Sequence, residues 1–392
     1  MSDLPEDAYV VALLALPELW PTRLAALLGL RRDTGRGRSL FADDPPVARR
    51  RPSDAWALVC SGALASDPDV GGAFGSRSDP AKLGPVWARA AANVDVESLW
   101  AGHCRAGVSV DLLGSPGYPV ALAADPAAPY AVFRVGGCPE LDGPCVAIVG
   151  TRRCTSLGRE IALEYGEVLS RAGARVVSGL ALGIDGAAHE GALRARAGPP
   201  IGVVAGGFDR PYPARHRQLW ADVRRQGVLV SEWPLGTQSE SWRFPARNRI
   251  IAGLADAVVV VESRASGGSV ITADQAAARG KTVFAVPGSV RNPASAGTNR
   301  LLRDGAVPAC EVDDVLTFLG LDSGAAPTFR RPPPEGSAGE VLAAVGWEPT
   351  SIDAILRRCQ LGRAVVTLDL AHLELDGWIR NGPGGWQRTG VP

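Results

Sequence analysis

From about residue 143 the chain alternates short, unbroken apolar runs with longer segments whose apolar residues recur at helical spacing. The runs are VAIVG (146–150), RVVSG (175–179), IGVVAGG (201–207), VLVSE (228–232), AVVVVES (257–263) and TVFAVPG (282–288). A strand that is apolar at every position is buried on both faces, as parallel strands covered by helices are. The pattern predicts a doubly wound, mostly parallel α/β sheet. In that architecture ligands meet the carboxyl ends of the strands near the point where strand order reverses. Each run closes on glycine, serine or glutamate, residue types suited to that edge.

The flanks read differently. Residues 8–30 carry apolar positions at helical spacing (Val10, Leu13, Leu14, then Leu24, Leu27, Leu28), interrupted at Pro17 and Pro21, which predicts a small helical module. Residues 31–85 hold Arg, Gly, Asp and Pro clusters around short apolar pieces and give no periodic signal. A proline-rich stretch (Pro327, Pro332, Pro333, Pro334) reads as an extended linker. The tail then offers three helical segments and a turn at Gly384-Gly385, the layout of a winged helix. The expected division is a helical N-terminal module with a poorly patterned insert (1–100), an α/β domain with its lead-in (101–320), a linker (321–337) and a winged helix (338–392).

With 392 residues, 46% hydrophobic and 21% charged, the chain can bury a sizeable core. Its formal net charge is zero, so no global field draws it to a polyanion, and any anion site is a local concentration of arginine. Lys82 and Lys281 are the only lysines. Seven cysteines without a C-x-x-C spacing, and only four histidines, predict reduced thiols and no structural metal. The sequence shows no signal-peptide pattern and no apolar run of about 18 residues, so a cytoplasmic protein that does not span a membrane is expected.

Four stretches carry candidate chemistry. In GTRRCTSLG (150–158), Gly150, Thr151 and Arg152 form a strand-to-helix turn that can bind an anion through amides and a guanidinium, although neither G-x-G-x-x-G nor a P-loop is present. SGLALGIDGAAH (178–189) supplies Ser178, Gly179 and Gly183, with Asp185 expected to cap the next helix and His189 one turn further on. The turn around Ser266, Gly267 and Ser269 offers hydroxyls and amides. The fourth, FPARNRIIAGL (244–254), sets Arg247 and Arg249 around Asn248. If Pro245 starts the helix, both arginines fall in its first turn, where cations are disfavoured unless an anion neutralises them. That anion is either a bound polyanion or an internal carboxylate such as Glu232 or Glu262. Several anion sites along one edge favour single-stranded nucleic acid over a single nucleotide.

These stretches, with GG…YP (206–213), SEWP (231–234), AVPG (285–288) and GTN…LLRDGA (297–306), resemble the DNA-processing protein A (DprA/Smf) family across the whole α/β region. The resemblance implies a Rossmann-like domain that binds single-stranded DNA without sequence preference, forms homodimers and loads the RecA recombinase during natural transformation. It places DNA contacts at Arg152, Arg247 and Arg249, a lining at Gly179, Gly183 and 266–269, and a further contact at Arg210. It implies no catalytic residue and no cofactor. The main rival is a nucleotide N-glycosidase of the lysine-decarboxylase-like group, with Glu262 or Asp185 as acid and base. A second is an architectural protein whose winged helix reads duplex DNA while the α/β domain only dimerises; Arg357, Arg358 and Arg363 of that tail suit either backbone contacts or protein docking.

Overall fold

The computed structural model describes residues 4–29, 50–67, 70, 79–322 and 334–389. Part of the unpatterned 31–85 stretch and most of the proline linker lie outside the described residues. Strands β1 (Ser109–Leu112), β2 (Ala131–Gly136), β3 (Cys145–Val149), β4 (Arg175–Ser178), β5 (Ile201–Val203), β6 (Val228–Ser231), β7 (Ala257–Val260), β8 (Thr282–Ala285) and β9 (Val307–Pro308) form one sheet in the order β1-β2-β6-β5-β4-β3-β7-β8-β9. From β6 to β9 all neighbours are parallel, and β1 and β2 add an antiparallel edge. Each of the six apolar runs forms a strand. The chain leaves β3 in one direction through β4, β5 and β6, then crosses back to β7 on the other side, so the strand order reverses beside β3.

Alternation within β3 distributes the layers. Ala147 and Val149 face a core with Ile250, Ile251 and Leu254 from helix Arg243–Leu254 and Ala273 and Ala276 from helix Gly268–Ala277. Val146 and Ile148 face the opposite core, built with Ala162 and Leu169 of helix Ser156–Arg171 and Ala188 of helix Ile184–Ala195. Burial on both faces explains why these strands show no polar alternation.

The N-terminal helices Glu6–Leu14, Pro21–Leu27, Pro52–Ser61, Pro80–Ala91 and Val96–Arg105 gather Leu13, Leu24, Leu27 and Trp87 into a core that also takes Phe133 of β2 and Trp220 of helix Arg217–Gln226. Three of these helices begin with proline at the first position, where its missing N–H costs no hydrogen bond. At the far end, helices Gly336–Ala344, Ile352–Arg358 and Arg363–Leu375 precede a hairpin of β10 (Ile379–Gly382) and β11 (Gly385–Arg388), a winged helix with its own core around Ile355, Val366 and Leu370. Arg380 of the hairpin pairs with Glu160 of helix Ser156–Arg171 at 2.8 Å.

The lead-in before β2 is fastened to the sheet's helices by a buried pair. Asp125 accepts from Arg279 at 2.6 and 3.1 Å, and it sits against Gly253, where a Cβ would stand 2.7 Å from its carboxylate. Removing one member of a buried pair strands the other charge. Asp125→Ala is therefore expected to lower the unfolding free energy by about 3–5 kcal/mol, measured by urea denaturation. A loss under about 1 kcal/mol would mean the pair behaves as a solvated one.

Candidate functional site

Helix Arg243–Leu254 starts two residues before Pro245, with Trp242 as its N-cap. Pro245 still lies in the first turn, where no intrahelical hydrogen bond is lost. The expected placement of Arg247 and Arg249 in the first turn is thereby corrected: both sit in the second. The helix crosses beneath the sheet, so its first half meets the carboxyl ends of β4 and β5.

Arg247 is 6% exposed. One of its amino nitrogens donates to the carbonyl oxygens of Gly179, at 2.9 Å, and Val203, and its Nε donates to Asn248 Oδ1 at 3.3 Å. Burial pushes its pKa down to about 10, the charge of Asp185 opposes that fall, and nearby Arg152 adds to it. Gly179 is enclosed by this arrangement: its N–H donates to Asp185 Oδ2 at 3.1 Å, and a Cβ would stand 2.5 Å from the guanidinium. Arg249 pairs with buried Glu232 at 2.5 Å and donates to Ala127 O at 2.8 Å. Of the two anions the sequence left open for this pair, the structure supplies internal ones, Glu232 for Arg249 and Asp185 near Arg247.

Asp185 does not cap its helix, as the sequence reading expected. It is the second residue of helix Ile184–Ala195, whose N-cap is Gly183, and its carboxylate turns back to the Gly179 amide. Burial pushes its pKa up, against the pull of Arg247. His189 is fully buried, and burial pushes its imidazole down to about 4, so it is neutral near pH 7. Ser178 is also fully buried, its hydroxyl donating to Ile148 O at 2.6 Å. Buried Ser269 donates to the hydroxyl of Ser263 at 2.8 Å. These four side chains form the floor of the edge and do not reach solvent.

The first glycine turn is filled in the same way. Glu262, at the end of β7, accepts from Thr155 N at 2.8 Å and Thr155 Oγ1 at 2.5 Å, and Thr155 caps helix Ser156–Arg171 by accepting from Gly158 N at 3.0 Å. An internal carboxylate thus occupies the helix N-terminus where a Rossmann-type fold seats a phosphate. What this turn presents outward is the side chain of Arg152, exposed and 5.0 Å above the ring of Phe244.

Phe244 in turn lies 5.3 Å from Tyr212, which is 46% exposed and follows Arg210. Arg210 is exposed beside Asp209 at 3.6 Å. Ser266 is exposed, and Gly150, Thr151, Gly183, Asn248 and Gly267 are half-buried, Asn248 donating to Gly268 O at 3.3 Å. Arg153 and Arg264, both exposed, and the rings of Phe244 and Tyr212 had no binding role in the sequence reading, where they stood only as parts of motifs. Arg153 and Arg264 follow β3 and β7, the strands at the reversal point, and that adjacency was the available signal. In the winged helix Arg358 donates to Ala344 O at 2.8 Å and Arg363 pairs with Asp353 at 3.1 Å, while Arg357 is exposed. Helix Arg363–Leu375 carries Asp369 buried and Glu374 exposed, with Arg363 at its start.

Among the described residues no group of three or more His, Cys, Asp or Glu side chains is placed to hold a metal ion, and no helix is long and apolar enough to cross a membrane.

Residues 110–320 match the family model described as DNA recombination-mediator protein A, and residues 325–385 match the DprA winged helix domain. The chain is 38% identical over 280 residues to Protein Smf of Escherichia coli, covering 69% of this chain and 75% of the relative. It is 38% identical over 220 residues to DNA processing protein DprA of Bacillus subtilis, covering 56% and 74%. The solved structure of DNA processing protein A from Streptococcus pneumoniae superposes with a TM-score of 0.60 at 27% identity, over 79% of this chain and 97% of that one.

The floor titrates in a predictable direction. His189 has a folded pKa near 4 against an ordinary 6.5, so below pH 6.5 the unfolded chain takes up a proton that the folded one refuses. Its contribution is intact above about pH 6.5 and is lost as pH falls toward 4. The expected loss is about 2 kcal/mol between pH 7 and pH 5, read by urea unfolding, and His189→Gln is expected to flatten that interval. An unchanged slope in the variant would assign the acid sensitivity to other groups.

Proposed function

The chain belongs to the DNA recombination-mediator protein A family, and on that premise we propose that it binds single-stranded DNA without sequence preference, protects it, and loads the RecA recombinase onto it. It acts in recombination and natural transformation, as a cytoplasmic homodimer. The observation that carries the binding reading is the separation of charge at the strand ends. Arg247 and Arg249 are engaged with the protein's own carbonyl and carboxylate oxygens, whereas Arg152, Arg153, Arg210 and Arg264 are exposed on the loops after the strands, Arg152 over Phe244 and Phe244 against Tyr212.

Exposed guanidinium groups together with a pair of aromatic rings suit a flexible polyanion that carries flat bases. The arginines take successive phosphates, and each phosphate neutralised releases condensed counterions. Bases then stack on ring faces, which accept any base because every base has a π-face. The ring of Phe244 beneath Arg152 limits the conformations that guanidinium loses on binding. In this reading Arg247, Asn248 and Arg249 act by holding Gly179, Gly183 and the loops around Gly150, Gly267 and Ser266 in place, rather than by touching phosphate. The hand-over to RecA and the homodimer rest on family membership.

The glycosidase alternative needs a carboxyl group free to meet a substrate. Glu262 is engaged with Thr155, and Asp185 lies buried against Gly179. Neither is placed to exchange a proton with a ligand above the edge.

Binding of an unstructured oligonucleotide measured across salt concentrations tests the proposal. Arg152→Ala and Arg264→Ala should each weaken binding and reduce the slope of log K against log salt by about 0.7, with the melting temperature preserved. Arg247→Ala should instead destabilise the fold. A slope unchanged in both exposed-arginine variants would move the DNA track away from this edge.

A further inference from the structure

A second aromatic group lies next to this edge. Trp20 is the N-cap of helix Pro21–Leu27 in the N-terminal module, Trp242 is the N-cap of helix Arg243–Leu254, and Trp233 follows β6. The rings of Trp20 and Trp242 are 5.5 Å apart, tilted by 50°, and Trp233 meets Trp242 edge-on at 5.7 Å. Arg243 lies 3.7 Å over Trp233 and 4.8 Å over Trp242, and Arg23 lies 4.5 Å over Trp20.

Exposure distinguishes these rings. Trp233 is buried, and Trp87, the indole at the centre of the N-terminal module, is fully buried with its N–H donating to Pro17 O at 2.8 Å. Trp20 and Trp242 each remain 40% exposed. Two indoles that served only to join the module to the sheet would gain by closing over one another, because every open ring face leaves apolar surface in water. Arg243 adds a second oddity: its Nε and one amino nitrogen are buried without a hydrogen-bond partner, and the nearest carboxylate, Glu240, is 3.9 Å away. A guanidinium is thus held against an aromatic group whose Trp20 and Trp242 remain partly exposed.

We propose that Trp20 and Trp242 form a base-stacking shelf that extends the single-strand track from the sheet edge onto the N-terminal module. The inference rests on the reading that the sheet edge holds the strand. Proximity supports it, since Trp242 is the N-cap of the helix whose second residue is Phe244, which places both rings at the same helix start. Arg23 and Arg243 stack on the rings but are accompanied by Glu18 at 3.4 Å and Glu240 at 3.9 Å. Trp242 donates its indole N–H to Glu240 at 2.5 Å, so the shelf offers aromatic surface rather than net charge. Stacking on indoles is indifferent to base identity, as binding without sequence preference requires. The shelf gives the N-terminal module a part in binding through side chains.

The experiment compares a thymidine 20-mer with an abasic backbone of equal length, bound to the full chain as wild type, Trp20→Ala, Trp242→Ala and Trp20→Phe. The wild type should prefer the thymidine strand. Each alanine variant should weaken thymidine binding about tenfold, leave abasic binding and the salt slope unchanged, and reduce the quenching of tryptophan emission. Trp20→Phe, which keeps an aromatic face and the packing, should retain most of the affinity. If Trp20→Ala melts as the wild type does and keeps the same preference for thymidine over abasic strand, the shelf is wrong and the rings are packing or a protein contact. If the oligonucleotides bind in an Arg152-dependent way with no dependence on the indoles, only this inference falls. If no oligonucleotide binds the wild type, the sheet-edge reading falls and this one with it.

Discussion

Arg247 is a charge that resists leaving and is costly to bury, placed where β4 and β5 stop. A guanidinium keeps its proton across the physiological range, so its desolvation has to be offset by oxygen atoms held at fixed distances. Two strand-end carbonyls, the Asn248 side chain and the field of Asp185 supply them. The constraint spreads outward from there. Gly179 has to lack a side chain, Asp185 has to turn inward instead of capping its helix, and helix Arg243–Leu254 has to cross the sheet at the depth that brings Arg247 to those carbonyls. The loops above the edge inherit their positions from that arrangement.

The edge therefore has two layers of charge with different tasks. The lower layer, formed by Arg247 with Asp185, Arg249 with Glu232 and Glu262 with Thr155, is closed on itself and sets geometry. The upper layer of exposed arginines and rings has few internal partners and faces outward. A formal net charge of zero is compatible with this, because the balance is struck inside the protein and the uncompensated positive charge is local.

The parallel sheet was legible because burial on both faces writes itself as continuous β-branched runs, and every one of the six became a strand. The antiparallel edge of β1 and β2 was not, since Ala131–Gly136 follows an irregular lead-in and pairs with β6, nearly 100 residues later. At the site, the sequence marked the stretches but not the direction in which side chains turn. FPARNR announced that cations needed anions, yet only the fold could show that carbonyls of Gly179 and Val203 and the carboxylate of Glu232 had reached them first. Phe244 and Tyr212 were met only as letters of their motifs, because lone aromatics carry no periodic signal. Their meaning comes from Arg152, some 60 to 90 positions earlier in the chain.

The carboxylate of Glu262 at the start of helix Ser156–Arg171 has a consequence for selectivity inside a cell. Folds of this type ordinarily offer that helix end to a single pyrophosphate, and a protein doing so competes for its ligand with the abundant pool of free nucleotides. Here the seat is taken by a negative charge that cannot diffuse away. If the exposed arginines form the track proposed above, a mononucleotide meets one or two of them, while a polymer that spans several gains a contact at each. On the proposed single-strand reading, chain length rather than base or phosphate chemistry becomes the property that is discriminated.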